Sequence, residues 1–289
     1  MTVLVFLDPA MPDGRIADAS QPQLKVTDTG ITRGDGIFET MLAVNGAPRK
    51  LQAHLARLAS SAEALALNVP ASDAWERAIG TALQEADDDG DLVVKLVAIR
   101  GVEESVEGGT EATAWVQVSP VPKGLRGKRL AVLLLDRGYD STAAQRAPWL
   151  LIGAKTLSYA VNMAALRYAK SQGADDVIFT SSDGKVLEGP TSTVLIARVI
   201  DGVKHLITPQ LESGILAGTS QSALFAAARD AGWELGYGPL IPADLFASDG
   251  VWLISSVRLL AEVASLDGKP VTMSPDLTAE LSALVESVS

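Results

Sequence analysis

Two residues set the chemistry open to this chain: Lys155, in WLLIGAKTLSYAVN, and Glu188, in GKVLEGPTSTVLIA. The run from Trp149 to Ala154 ahead of the lysine is nearly all apolar, which predicts an amine held with little solvent at a strand-to-helix junction. Poor solvation disfavours an ammonium, and only a neutral amine attacks a carbonyl, so the setting suits Schiff-base chemistry. The same segment also reads as a lysine snorkelling from a helix start. Glu188 lies between two strand-like stretches. It reads either as a turn acid or as a carboxylate that keeps a pyridine nitrogen protonated, which makes such a ring a better electron sink.

Three further segments could hold an anion. GILAGTSQS (214–222) opens a helix whose first turn offers unpaired backbone N–H groups and the hydroxyls of Thr219, Ser220 and Ser222, a combination suited to phosphate. An ordinary capped helix has the same composition. Ser255 and Ser256, ending the strand-like GVWLISS, could add a hydroxyl. Arg57, in AHLARL, stands at the edge of an apolar helix face, from which its fork could turn inward to an anion or outward to solvent. RGDGIFET (33–40) reads as a tight two-glycine turn running into a strand.

The elements that must position these residues follow from periodicity. Val3 to Leu7 and Phe38 to Val44 read as strands, the latter entering an Asn45-Gly46 hairpin that returns through Arg49 to Leu51. Leu51, Leu55, Leu58, Ala62 and Leu65 recur at helical spacing, and a second helix runs from Ser72 to Glu85. Asp91 to Arg100 and Ala114 to Ser119 are Val-rich strands around an acidic loop at 101–112. PVPKGLRG (120–127) has the composition of an interdomain linker. Beyond it we expect strands at 129–135, 176–180, 193–197, 251–255 and 259–264. The expected helices lie near 157–172, 219–231 and 276–288, the last on the surface. This organisation predicts a small α+β domain over 1–120, a linker over 121–127 and a larger domain over 128–289 that carries Lys155.

Composition narrows the function classes. The 289 residues hold 24 Lys and Arg against 35 Asp and Glu, a net charge of −11 that disfavours nucleic acid and anionic membrane surfaces as partners. No cysteine and only two histidines, His54 and His205, leave no thiolate chemistry and little basis for a metal site. The longest apolar runs, such as Leu130 to Leu135, fall short of the ~18 residues of a membrane span. MTVLVFLDPAMPDG has no basic stretch ahead of its apolar residues, so a cytoplasmic address is expected.

In chain order, RGDGIFET, HLARL, AKTLSYAVN, DGKVLEGPTS, GILAGTSQ and ISSVR followed by LDG together resemble the class IV, or fold type IV, pyridoxal-phosphate-dependent aminotransferases. That family includes 4-amino-4-deoxychorismate lyase, branched-chain aminotransferase and D-amino acid aminotransferase, and the resemblance spans about residues 30–268. It implies a homodimer of two-domain chains, each with a small α+β domain and a larger domain with a barrel-like β core. It implies that Lys155 bonds pyridoxal phosphate and shuttles protons, that Glu188 meets the pyridine nitrogen, and that Tyr159 lies near the phenolic oxygen. Arg57, Thr219, Ser220 and Ser256 would hold the phosphate and Leu216 would support the ring. Phe38 and Arg100 would face the substrate.

FET after RGDG, and KTLSYAVN without the extra residue that branched-chain enzymes carry before the tyrosine, resemble the lyases most. The implied reaction converts 4-amino-4-deoxychorismate to 4-aminobenzoate and pyruvate, a step toward folate. The alternative is transamination of D-amino acids or branched-chain L-amino acids with a 2-oxo acid. Val102-Glu103-Glu104-Ser105 stands where D-amino acid enzymes place an Arg-x-His carboxylate trap, and its two acids oppose a carboxylate. The chain also departs from the lyase pattern. GVEESVEGGTEA replaces Gly-Arg-Gly-Tyr, Thr193-Val194-Leu195 replaces Asn-Leu-Phe, and Gln221 stands nearest the place of an arginine after the phosphate-binding threonine. A cofactor-free binding protein on the same fold is the reading from another class.

Overall fold

The computed structural model describes residues 2–86, 90–102 and 112–288. Its contacts divide the chain into two compact units, Met1–Pro122 with Ala154–Tyr159, and Lys123–Gly153 with Ala160–Ser289.

The first unit contains β1 (Val3–Asp8), β2 (Met11–Ala17), α1 (Thr29–Thr32), β3 (Gly36–Val44) and β4 (Ala47–Pro48). After these come α2 (Leu51–Ala64), α3 (Ser72–Ala86), β5 (Leu92–Ile99) and β6 (Thr113–Pro120). The strands form one sheet in the order β2-β1-β6-β5-β3-β4, antiparallel at each pairing. Because side chains alternate across a strand, Ile37, Met41 and Ala43 share a face with Val94, Leu96 and Ala98. The apolar stripes of α2 (Leu55, Leu58) and α3 (Trp75, Ile79) pack into that same core. Strand β2 was not anticipated: MPDGRIA is polar, largely exposed and contains Pro12, all of which an edge strand tolerates.

Ala154–Tyr159, assigned from sequence to the C-terminal domain, packs with the first unit because its backbone pairs with β3. Phe38 N–H donates to Lys155 O (3.1 Å) and Leu157 N–H to Gly36 O (2.8 Å), around a bridge between Ile37 and Thr156. Gly36 permits this approach, since a Cβ there would lie 2.6 Å from Ala98 O and 2.8 Å from Leu157 Cδ1.

The second unit runs through β7 (Leu130–Asp136), α4 (Ala143–Arg146), α5 (Ala160–Ser171), β8 (Asp176–Thr180), β9 (Thr193–Ile200) and β10 (Val203–Pro209). It continues with α6 (Thr219–Asp230), β11 (Glu234–Gly238), α7 (Pro242–Phe246), β12 (Gly250–Ser255), β13 (Leu259–Leu266), β14 (Lys269–Pro270) and α8 (Pro275–Val288). Its mixed sheet is curled into a half-barrel, ordered β11-β10-β9-β12-β13-β7-β8 with β14 beside β13. The pairs β10/β11, β13/β7 and β7/β8 are parallel. Both faces of the central strands are covered. Val194, Ile196, Val251 and Leu253 pack into one core, whereas Leu195, Ala197, Trp252 and Ile254 pack against α6 and α8. Such strands read as continuous apolar runs, which is how 193–197 and 251–255 stood out. Helix α8 lies on the surface yet buries the stripe Leu277, Leu281 and Val285.

The expectation around Lys155 needs correcting. Pro148–Leu150 is a single 3-10 turn, not a strand, and Trp149 is 76% exposed. The helix begins at Ala160 rather than near 157. Pro148 removes a backbone donor, and Leu151 (φ 54°) and Gly153 (φ 89°) turn left-handed, so an apolar run without alternation forms no strand here.

Candidate active site

On the first unit, Lys155 takes its surroundings from β3 and α2. Its backbone N–H donates to Ser61 Oγ (3.1 Å), a buried hydroxyl of α2. Its Nζ stands 4.3 Å from the Phe38 ring centroid and 5.5 Å from that of Tyr159. Those two rings meet edge to face, with centroids 5.1 Å apart and planes at 86°. The rings beside this amine are therefore those of Phe38 and Tyr159. Lys95 Nζ lies 5.3 Å from the same Phe38 ring.

Arg57 turns inward, toward an anion supplied by the chain itself. Its Nε donates to Glu39 Oε1 (2.6 Å) and its Nη2 to Glu39 Oε2 (2.8 Å). His54 Nδ1 lies 2.7 Å from the same Oε2, and the Glu39 and His54 side chains have no solvent exposure. Burial pulls the Glu39 carboxyl upward, but hydrogen bonds and charge from Arg57 and His54 outweigh it and bring the group down to about 2. Burial holds the His54 imidazole below its ordinary range, with Glu39 opposing. An ionised carboxylate only accepts, so Nδ1 carries the proton of this neutral ring. Sequence reasoning missed Glu39 and His54. The available signal was an acid between Ile37 and Met41 on the buried face of β3, together with a histidine one helical turn before Arg57.

On the second unit, Glu188 Oε2 accepts from Leu216 N–H (3.1 Å). Beside it lies a small pocket lined by Arg137, Tyr139, Asn162, Phe179, Leu187 and Ile215, among others. Arg137 Nη2 donates to Asn162 Oδ1 (2.9 Å) while its guanidinium covers the Phe179 ring at 4.4 Å. Asn162 in turn donates to Pro190 O (2.7 Å). Burial pushes the Tyr139 phenol up, as does the Glu188 charge, against a hydrogen bond from Arg137. Arg137 and Tyr139 follow β7 directly and carried no motif of their own.

The anticipated hydroxyls converge. Ser256 Oγ lies 3.3 Å from Thr219 Oγ1 and 3.2 Å from Ser220 Oγ, and Thr219 and Ser220 are buried at the start of α6. Ser222 faces solvent instead. Gly218 precedes the helix where a Cβ would come within 2.5 Å of Thr193 Oγ1. Gln221 is buried and donates to Tyr237 Oη (3.3 Å). Arg100 is held by partners of its own unit. Its guanidinium bonds Asp35 at 2.7 and 3.2 Å and donates to the carbonyls of Leu65 (2.7 Å) and Ala66 (3.1 Å). Those contacts give it a bracing part at the end of β5. Residues 103–111 of the acidic loop lie outside the described residues.

Comparison with known proteins places this arrangement in a family. The model for amino-transferase class IV matches residues 36–266. A Mycobacterium tuberculosis protein, bifunctional aminodeoxychorismate lyase / D-amino acid transaminase, is 45% identical over 273 residues, covering 91% of this chain and 92% of its own. Structures of a hypothetical aminotransferase from Mycobacterium tuberculosis align over 99% of this chain and 98% of theirs at 43% identity. The TM-score is 0.91 for the PLP-bound form and 0.90 for the form with alpha-ketoglutarate and PMP. The fold IV transaminase CpuTA1 from Curtobacterium pusillum aligns at TM-score 0.90 and 40% identity, over 99% of both chains. The chain belongs to the class IV aminotransferase family and has its fold type IV architecture.

Proposed function

We propose that this chain is a cytoplasmic, homodimeric lyase that converts 4-amino-4-deoxychorismate to 4-aminobenzoate and pyruvate. As a class IV aminotransferase it is a pyridoxal-phosphate enzyme. The observation that carries the reading is Lys155, with its amine against the Phe38 and Tyr159 rings, in a chain 45% identical to a lyase and transaminase. The donor set fits the cofactor: one lysine amine, one carboxylate accepting a backbone N–H, and three hydroxyls gathered at a helix start. For the dimer, support comes from Trp149 and Leu150 on one turn and Leu211 on another, all exposed, with both turns packed on α4.

Bound pyridoxal phosphate supplies the electron sink for breaking bonds at the substrate carbon that carries nitrogen. Lys155 would hold the cofactor through Nζ, and the same amine would take the proton from that carbon. It would also return a proton to the three-carbon fragment. Glu188 holds a proton at the pyridine nitrogen, and Leu216, whose N–H it accepts, supports the ring. Tyr159 serves the phenolic oxygen. Thr219, Ser220, Ser256 and Arg57 would hold the phosphate. Phe38 and Arg100 would face the substrate, with Arg100 held by Asp35 and by the Leu65 carbonyl.

D-amino acid transamination at the same lysine is the second reading. It is favoured by the double activity in the name of the Mycobacterium tuberculosis relative and by a structure with alpha-ketoglutarate and PMP. The absent Arg-x-His trap then requires another hold on the substrate carboxylate. The test supplies purified protein with freshly generated 4-amino-4-deoxychorismate and follows 4-aminobenzoate and pyruvate together. Equimolar products, lost in Lys155→Ala, support the lyase. Neither product, with D-alanine and 2-oxoglutarate giving pyruvate, replaces it with the transaminase. Activity retained in Lys155→Ala would sink both.

A further inference from the structure

We propose that Glu39 and His54 are positioning residues for the cofactor phosphate: the Glu39 carboxylate locks the Arg57 guanidinium in one plane, and His54 locks the carboxylate. The inference rests on the phosphate role of Arg57 given above.

Glu39 occupies an unusual place for an acid. It sits on the core face of β3, between Ile37 and Met41, with no solvent exposure. Burying a carboxylate and a guanidinium is costly, and an apolar side chain of similar size commonly does as well or better for stability. Stability alone therefore gives little reason for the pair. Geometry supplies another. The carboxylate meets the Nε and Nη2 edge of Arg57 with both oxygens, a two-point contact that fixes the plane of the guanidinium and hence the direction of Nη1. A single-point contact would leave the plane free to rotate. Oε2 is shared with His54, which lies three residues before Arg57 and so on the same face of α2.

Charge sharpens the argument. With Glu39 ionised and His54 neutral, the carboxylate cancels the arginine charge, so the cluster adds orientation rather than field. Removing the carboxylate would leave a full positive charge at Arg57. If Coulomb attraction alone governed phosphate binding, Glu39→Gln would bind the phosphate more tightly. If orientation governs it, Glu39→Gln binds more weakly. The two accounts differ in sign.

The test compares pyridoxal phosphate with pyridoxal, which forms the same bond to Lys155 but lacks the phosphate, by equilibrium titration of visible absorbance. We expect Glu39→Gln to weaken pyridoxal phosphate about 10-fold to about 100-fold, the scale of hydrogen bonds to a charged group. Pyridoxal should change by less than about twofold. His54→Asn keeps an N–H near the Nδ1 position and should hold the wild-type ratio, whereas His54→Leu should lose about 10-fold. The proposal is overturned if both ligands weaken together, as for a purely structural role, or if pyridoxal phosphate holds or tightens. Should Glu39→Gln not fold, the two histidine variants decide by the same ratio. Arg57→Gln separates the levels. A ratio unchanged there removes the phosphate role of Arg57 and this inference with it, whereas a ratio lowered there but not in Glu39→Gln removes this inference alone.

Discussion

Acid should unfold the first unit largely through Glu39. Its carboxyl moves from an ordinary 4.5 to about 2 on folding, a difference of about 2.5 pH units or about 3 kcal/mol. The folded value lies below the unfolded one, so this stabilisation is complete above about pH 5 and is lost as pH falls toward 2. His54 acts in the same direction. Burial keeps its imidazole below 6.5, helped by the charges of Arg57 and Lys50 and opposed by Glu39. Unfolding therefore takes up a proton from about pH 6.5 downward. Imidazole and carboxylate share one hydrogen bond and titrate as a pair, so one partner must be removed to separate them. Glu39→Gln does this with little change of shape. Urea unfolding followed by tryptophan fluorescence, which includes Trp75 and Trp115 of this unit, should find the variant about 3 kcal/mol less stable at pH 7. That gap should narrow steadily below about pH 5 and close near pH 2. A gap that stays constant across the range would refute the reasoning, because the carboxylate would then contribute through packing and not through its charge.

Three other outcomes are expected. Glu188→Gln still offers an oxygen to Leu216 N–H, so the melting temperature should barely change while turnover falls about 100-fold or more; equal activity would remove the proposed role at the pyridine nitrogen. Asp176→Asn breaks a buried pair, since Arg258 Nη1 donates to Asp176 Oδ2 at 2.6 Å with both side chains largely covered. Chemical denaturation should show a loss of about 3 kcal/mol, and a loss below about 1 kcal/mol would mean that water replaces the carboxylate. Trp149→Glu should shift the proposed dimer toward monomer in light scattering, as Trp149 is 76% exposed; an unchanged mass would remove Trp149 from the proposed subunit contact.

Much of the architecture is legible along the chain because it is local. The switch from alternation in β3 to helical spacing in α2 marks the hairpin and the helix after it, and the Val-rich runs locate β5 and β6. Strands β2, β10 and β11 escaped notice. They are short, partly exposed and rich in polar residues or glycine, and a neighbouring strand rather than their own pattern makes them strands. The run ahead of Lys155 misled for the opposite reason: apolar composition does not bury a segment that Pro148 and two left-handed residues fold into turns.

The chain by itself determined which side chains were available for chemistry and in what order: Lys155, Glu188, Arg57 and the hydroxyls of Thr219, Ser220 and Ser256. Residue type and neighbouring pattern are local properties, readable within a few positions. Only the tertiary structure decided what each one meets. Arg57 faces Glu39 because β3 and α2 pack face to face, and Lys155 faces Phe38 and Tyr159 because its segment pairs with the edge of β3. Arg100 faces Asp35 for the same kind of reason, across 65 residues. Register between distant segments is set by the burial of whole faces, so a partner far along the chain leaves no mark beside the residue it holds.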